Sequence, residues 1–101
     1  MSGDDMDALV EAANAKLEHL ETSLGALQQI RARFATKDGA VTAEVDGNGA
    51  LTGLWLDESI SEMSAKDVSK LITWASHQAA QLTGVERGKI LESLNSTFRA
   101  P

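Results

Sequence analysis

Apolar residues near the amino terminus recur alternately every three and four positions, which is the spacing of an amphipathic helix with a heptad seam. The residues on this seam are Met6, Val10, Ala13, Leu17, Leu20, Leu24 and Leu27. Ser2 and Asp5 have the spacing of a capping box. The pattern predicts a helix over residues 5–30, which would be about 38 Å long.

The middle of the chain changes to the two-residue period of β-strands. Residues 32–36 predict a weak strand, and the Asp38-Gly39 pair that follows is a strong hairpin signal. Residues 40–46 alternate cleanly between apolar and polar. The apolar face of this second strand is Val41, Ala43 and Val45.

A third strand is predicted over residues 51–56, after a tight turn at Gly47-Asn48-Gly49. It is apolar on both faces, with Leu54 and Leu56 on one and Leu51 and Trp55 on the other. One layer of helices covers only one face of a sheet, so this pattern predicts a buried strand at a subunit contact.

The last third of the chain returns to helical spacing. Ser64 and Asp67 form a second capping-box pattern. The apolar positions that follow are Val68, Leu71, Ile72, Ala75, Ala79, Leu82, Ile90, Leu91, Leu94 and Phe98. Gly84 and Gly88 weaken the pattern, but one helix over residues 65–98 is favoured over two.

These elements predict an α+β fold in a single domain over residues 1–101: a long helix, a three-stranded antiparallel meander and a long helix. The helices carry more apolar surface than so small a sheet can bury. We therefore expect a homodimer. The predicted interface residues are Leu17, Leu20, Leu24, Leu27, Leu54, Trp55 and Leu56.

Composition narrows the function. The chain is 43% hydrophobic and 24% charged, which is typical of a globular protein. It has no cysteine, no apolar run long enough to cross a bilayer and no secretory pattern in its first residues, so we predict a cytoplasmic protein. Its net charge of −6 argues against simple electrostatic binding of nucleic acid.

Candidate catalytic chemistry is sparse. His19 and His77 lack partners at metal-ligand spacing, and Asp46-Gly47-Asn48-Gly49 departs from the calcium-loop pattern at Ala50 and Leu51. The sequence predicts no enzyme, no cofactor, no metal site and no small-molecule substrate.

The basic residues gather in places where they could meet phosphates, particularly if a dimer doubles them. The candidate DNA-binding residues are Arg31, Arg33, Lys37, Lys66 and Lys70. The alternative is that they pair with the abundant acids or simply solvate the fold.

The segment from Lys37 to Asp57, which reads KDGAVTAEVDGNG and then LTGLWLD, resembles the YbaB/EbfC family of nucleoid-associated proteins. The likeness is closest to the acidic, actinobacterial members. It implies a homodimer whose sheets associate, DNA binding in the nucleoid and no catalysis.

The chain departs from the family pattern in its acidic first helix and in Leu54-Trp55-Leu56. These departures keep a second hypothesis open, which is a dimeric protein-binding adaptor or chaperone-like factor. Such a factor could be linked to specialised type VII secretion and would bind no DNA. An exposed, acidic and tryptophan-bearing surface suits protein contacts.

Overall fold

The computed structural model describes residues 3–99 and confirms the predicted fold class. Its elements are α1 (Gly3–Gln28), β1 (Arg31–Ala35), β2 (Val41–Asp46), β3 (Leu51–Leu56) and α2 (Ala65–Arg99). A short 3₁₀ helix over Glu58–Glu62 precedes α2. Ser2, which belongs to the first predicted capping box, lies outside the described residues.

Helix α1 ends two residues earlier than predicted, and the side chain of Arg31 caps its end. No basic residue stands in its last turn. Instead, Arg31 Nη1 donates to the carbonyl oxygens of Ile30 at 2.7 Å and of Gln28 at 3.3 Å. A cation beside these carbonyls also complements the negative end of the helix dipole. Strand β1 begins at Arg31, one residue before the predicted start, because Arg31 already pairs with Asp46 of β2.

The three strands form an antiparallel meander with β2 in the centre. Val41, Ala43 and Val45 of β2 are fully buried, as their alternation predicted. The turns that join the strands place Gly39 and Gly49 at φ of 75° and 82°. Only glycine adopts this left-handed region without a steric cost, which explains a glycine at each turn.

Strand β3 differs from its prediction at one residue. Partner residues across an antiparallel pair point to the same face, and Leu54 and Leu56 oppose buried Ala43 and Val41. A β-bulge between Glu44 and Val45 pairs Val45 with Leu51. The extra residue reverses the alternation, so Leu51 lies on the same face as Leu54. Its predicted place beside Trp55 was wrong.

Helix α2 starts at the predicted cap and packs on the inner face of β1 and β2. The Ser64 hydroxyl accepts from the Asp67 N–H at 3.1 Å. The small side chains of Ala75 and Ala79 are fully buried, which brings the helix close to the sheet. Phe34 of β1 packs against Trp74 of α2 in an edge-to-face contact, with 5.1 Å between the ring centroids.

Beyond the sheet, α2 continues unbroken through Gly84 and Gly88 and packs against α1. Packing of one helix on another offsets the intrinsic cost of the glycines. The molecule is 76 Å long and only 18 Å by 17 Å across. Every residue from 3 to 15 is exposed, so the amino-terminal part of α1 projects past the end of α2.

The first hairpin turn depends on one buried hydroxyl. Thr36 is only 6% exposed, and its Oγ1 donates to Asp38 Oδ1 at 2.9 Å and accepts from the Val41 N–H at 3.1 Å. The bond from the Ala40 N–H, followed by that from Thr36, lowers the pKa of Asp38. The turn is therefore held by a network that needs both side chains.

We expect Thr36→Val to lower the free energy of unfolding by about 1–3 kcal/mol, because the buried Val41 N–H loses its acceptor. Urea denaturation followed by circular dichroism measures this loss. Thr42→Val is the matched control on the outer face of β2 and should change stability by less than about 0.5 kcal/mol. Equal effects of the two substitutions would contradict a special role for the Thr36 hydroxyl.

Candidate nucleic-acid interface

The outer face of the sheet carries two of the five candidate DNA-binding residues. Arg31 and Arg33 project from this face of β1, and both are exposed. Their cross-strand partners on β2 are Asp46 and Glu44. The strand register therefore places an acid opposite each arginine, and the face is close to neutral.

Arg33 is fixed in place by two side chains. Its Nε lies 2.8 Å from Glu44 Oε2, and its guanidinium carbon lies 4.2 Å from the centroid of the Trp55 ring. Thr52 Oγ1 donates to the other carboxylate oxygen of Glu44 at 2.8 Å. A guanidinium bonded through Nε keeps its terminal Nη groups available for a phosphate.

The same contacts keep Glu44 ionised. The hydrogen bond from Arg33, followed by the one from Thr52, lowers the pKa of Glu44 below its ordinary value of 4.5. Glu44 therefore remains a carboxylate at neutral pH and holds Arg33 as an ion pair.

Gly53 gives Trp55 the space to lie over the sheet. A Cβ at residue 53 would come within 2.6 Å of Trp55 Cη2, so any other side chain would displace the indole. The hydrophobic pattern of the sequence did not indicate the roles of Gly53, Thr52 and Glu44. The available signal was the alternation around the Asp38-Gly39 turn, since the hairpin register sets residue 44 opposite residue 33.

The other three candidates lie near the tip of the first hairpin and the start of α2. Lys37 lines a shallow hollow of about 600 Å³ together with Leu71 and Trp74 of α2. Lys66 and Lys70 are exposed and one helical turn apart, and Lys70 is one turn from Trp74. Within residues 3–99, none of the three lysines forms an ion pair. We call Lys37, Lys66 and Lys70 the tip lysines.

The tip lysines and the two arginines do not form one surface in a single chain. Val68, Leu71 and Ile72 mark the face of α2 that turns toward the sheet. Lys66 and Lys70 lie on the opposite face by helical spacing. Because α2 covers the inner face of the sheet, these two lysines and the outer-face arginines lie on opposite sides of the layer.

The predicted dimer residues also divide. Leu20 and Leu27 are partly buried in the contact with α2 of the same chain, whereas Leu17 and Leu24 are 52% and 48% exposed. The β3 residues Leu54, Trp55 and Leu56 are 38%, 46% and 44% exposed. Helix α2 crosses β1 and β2, which leaves Leu54 and Leu56 on the inner face of β3 uncovered, whereas Trp55 lies on the outer face.

Residues 3–99 contain no cluster of three or more His, Asp or Glu side chains that could hold a metal ion. His19 lies half-buried on α1, and its Nε2 atom has no hydrogen-bond partner in this part of the chain. No helix within these residues is long and apolar enough to cross a membrane.

The fold is shared with a solved structure. The crystal structure of the uncharacterised protein HP0035 from Helicobacter pylori matches with a TM-score of 0.60 and 16% identity, over 93% of this chain and 97% of that one. At this identity the likeness shows the fold alone: an α+β protein with two helices flanking an antiparallel sheet.

The family follows from the sequence itself. The profile of the YbaB/EbfC DNA-binding family matches residues 1–97, and the chain belongs to that family. None of the curated proteins matches the chain.

We expect Glu44→Gln to lower stability near neutral pH, because the ion pair with Arg33 is lost. The lowered pKa of Glu44 means that its stabilising effect is present above the unfolded-state pKa and disappears as pH falls through the lowered folded-state value. The difference between the two proteins should therefore shrink in acid below 4.5.

Urea midpoints measured across the acidic range test this dependence. Glu86→Gln is the control, since Glu86 lies 3.5 Å from Lys89 at an exposed site. It should have little effect at any pH. A stability difference for Glu44→Gln that does not change with pH would contradict the ion pair.

Proposed function

We propose that the protein is a homodimeric nucleoid-associated protein that binds DNA through the phosphate backbone with little sequence specificity. The observation that carries this proposal is membership of the YbaB/EbfC DNA-binding family over residues 1–97. In this function the protein acts in the cytoplasm, on the nucleoid, without catalysis or a cofactor.

The tip lysines are the best candidates for phosphate contacts. They are exposed and form no ion pair within residues 3–99, so a phosphate need not displace a carboxylate. Lysine and arginine contacts to phosphate position a protein on DNA but carry no direct sequence information. Arg31 and Arg33 are secondary candidates, because the Arg33 side chain is paired with Glu44 and the Arg31 side chain donates to carbonyl oxygens at the end of α1.

The net charge of −6 makes binding weak, and the phosphate contacts make it strongly dependent on salt. If a dimer makes about six phosphate contacts, raising the salt concentration from about 50 to 200 mM would lower its affinity for DNA by about a thousandfold. DNA must therefore approach the basic surfaces and avoid the acidic α1.

The shape of a single chain supports a dimer. The chain exposes 7146 Å² of surface, whereas a compact monomer of this mass exposes about 5,500 Å². Its radius of gyration is 21.0 Å, compared with about 13 Å for a compact domain of this length. The surplus surface is comparable in size to one subunit's share of a homodimer interface.

Strand β3 is the centre of the proposed interface. It is an edge strand, so one side of its backbone has no partner strand in residues 3–99. An exposed apolar edge readily pairs with another strand. A second copy that approaches β3 would cover Leu54 and Leu56, which α2 leaves exposed, and would bring the basic groups of the two chains into one assembly.

The alternative function is a dimeric protein-binding adaptor that binds no DNA, for example one linked to specialised type VII secretion. The observation that favours it is the acidic α1, which carries six acids before residue 22 and exposes Leu17 and Leu24. DNA would be repelled by this helix, whereas a basic protein would be attracted.

We expect Lys37→Gln/Lys66→Gln/Lys70→Gln to weaken binding uniformly across DNA sequences. Each lost phosphate contact should lower the slope of log affinity against log salt by about one. A gel-shift or anisotropy series over salt concentration, with two unrelated duplexes, measures both properties.

The matched control is Lys16→Gln/Lys89→Gln/Arg99→Gln, which removes the same charge from other positions. It should change the slope less than the tip-lysine variant does. Loss of binding to the same degree in both variants would show that only net charge matters. If the wild type shows no binding even at low salt, DNA binding is excluded and the adaptor remains.

We expect Leu54→Asp/Leu56→Asp to convert the dimer to a monomer, since it would place unpaired carboxylates in the interface. Light scattering coupled to size exclusion measures the mass, and circular dichroism checks that the chain remains folded. Leu9→Asp/Val85→Asp is the control, because these side chains are 56% and 58% exposed outside β3. A monomeric wild type at micromolar concentration would overturn the dimer.

A further inference from the structure

We propose that the two helices form a docking groove for a basic amphipathic helix of a protein partner, on a surface separate from the tip lysines and from β3. The proposed groove would use the exposed side chains of Leu17 and Leu24 of α1 and of Leu91 and Phe98 of α2. These side chains are between 45% and 52% exposed. The proposal does not depend on DNA binding.

The register of the two antiparallel helices brings these side chains together. Ser23 of α1 and Ile90 of α2 line one hollow, so these two positions lie side by side. Leu24 and Leu91 are each one residue further along. Leu17 and Phe98 lie seven residues from them, in the directions that an antiparallel pair requires. Two apolar pairs therefore line the same side of the helical hairpin.

The spacing of this surface is that of a helix-binding seam. On α1 the exposed apolar residues Val10, Leu17 and Leu24 repeat every seven positions. On α2, Gly84, Leu91 and Phe98 repeat in the same way. A heptad repeat on two adjacent helices creates holes for the apolar side chains of a third helix.

Gly84 and Gly88 support a close approach. Each lowers helix propensity by about 1 kcal/mol relative to alanine. A Cβ added at either position would meet nothing within 4 Å, so no contact among the described residues requires a glycine there. Small residues on one face of a helix allow the backbone of another helix to come near.

Charge identifies the partner. Four acids, Asp7, Glu11, Glu18 and Glu21, lie along α1 at helical spacing beside the exposed leucines, and all four are exposed. The border on α2 carries the uncharged Gly88 and Asn95 together with Glu92 and Arg99, whose opposite charges offset each other. A second copy of α1 would bring a like-charged row against the first. A helix with leucines on one face and lysines or arginines along its flank would complement both the groove and the acids.

The test uses the full chain and a fluorescently labelled peptide of about three heptads, with leucine at the a and d positions and lysine on the flanks. A scrambled peptide has the same composition and charge. We expect anisotropy to show saturable binding of the patterned peptide and at least about tenfold weaker binding of the scrambled one. The proposal would be overturned if the two peptides bind equally well, or if neither of them binds.

Two variants locate the binding surface. Leu17→Gln/Leu91→Gln should lower the affinity for the patterned peptide about tenfold or more. Val85→Gln, on another exposed part of α2, should leave its affinity unchanged. Glu11→Gln/Glu18→Gln should weaken binding of the patterned peptide about threefold and reduce its salt dependence, whereas Glu58→Gln/Glu62→Gln, on the 3₁₀ helix, should not.

The oligomeric mass of each variant separates this groove from the proposed dimer contact. Leu17→Gln/Leu91→Gln should keep the mass of the wild type. If it becomes a folded monomer, the groove is a contact between two copies and the proposal is wrong. Unchanged affinity of this variant for the patterned peptide would overturn it as well.

Discussion

The structure depends on a mismatch in size between two long helices and a small sheet. Helix α1 is about 39 Å long and α2 about 52 Å, at about 1.5 Å per residue. The sheet spans only three short strands. Helix α2 therefore covers β1 and β2 along its first half and uses its second half to hold α1. The elongated shape, the uncovered leucines of β3 and the projecting end of α1 all follow from this arrangement.

The mismatch separates three surfaces along one chain. The tip lysines lie where α2 begins, the uncovered leucines of β3 lie at one edge of the sheet, and the proposed groove lies along the two helices beyond the sheet. A compact domain of this length would bury much of this surface in its own core. Here the surfaces stay far enough apart for DNA, a second copy and a protein helix to be considered as separate partners.

Electrostatics decides what each surface can do. Exposed basic residues differ in how freely they can meet a phosphate, since Arg33 already holds the Glu44 carboxylate through Nε and can offer only its terminal Nη groups. The tip lysines have no such partner in residues 3–99. The acids of α1 repel DNA yet suit a basic protein, so a net charge of −6 describes no single surface of this molecule.

The sequence by itself determined the element order, the buried face of β2 and the caps and turns, because these depend on local periodicity and on residues such as Ser64, Gly39 and Gly49. It also indicated the family through the hairpin segment. Only the tertiary structure decided that a bulge turns Leu51 to the inner face and that the five candidate basic residues fall into two groups. Those outcomes depend on strand register and on the side of the sheet that α2 covers, which are long-range properties that no local spacing specifies.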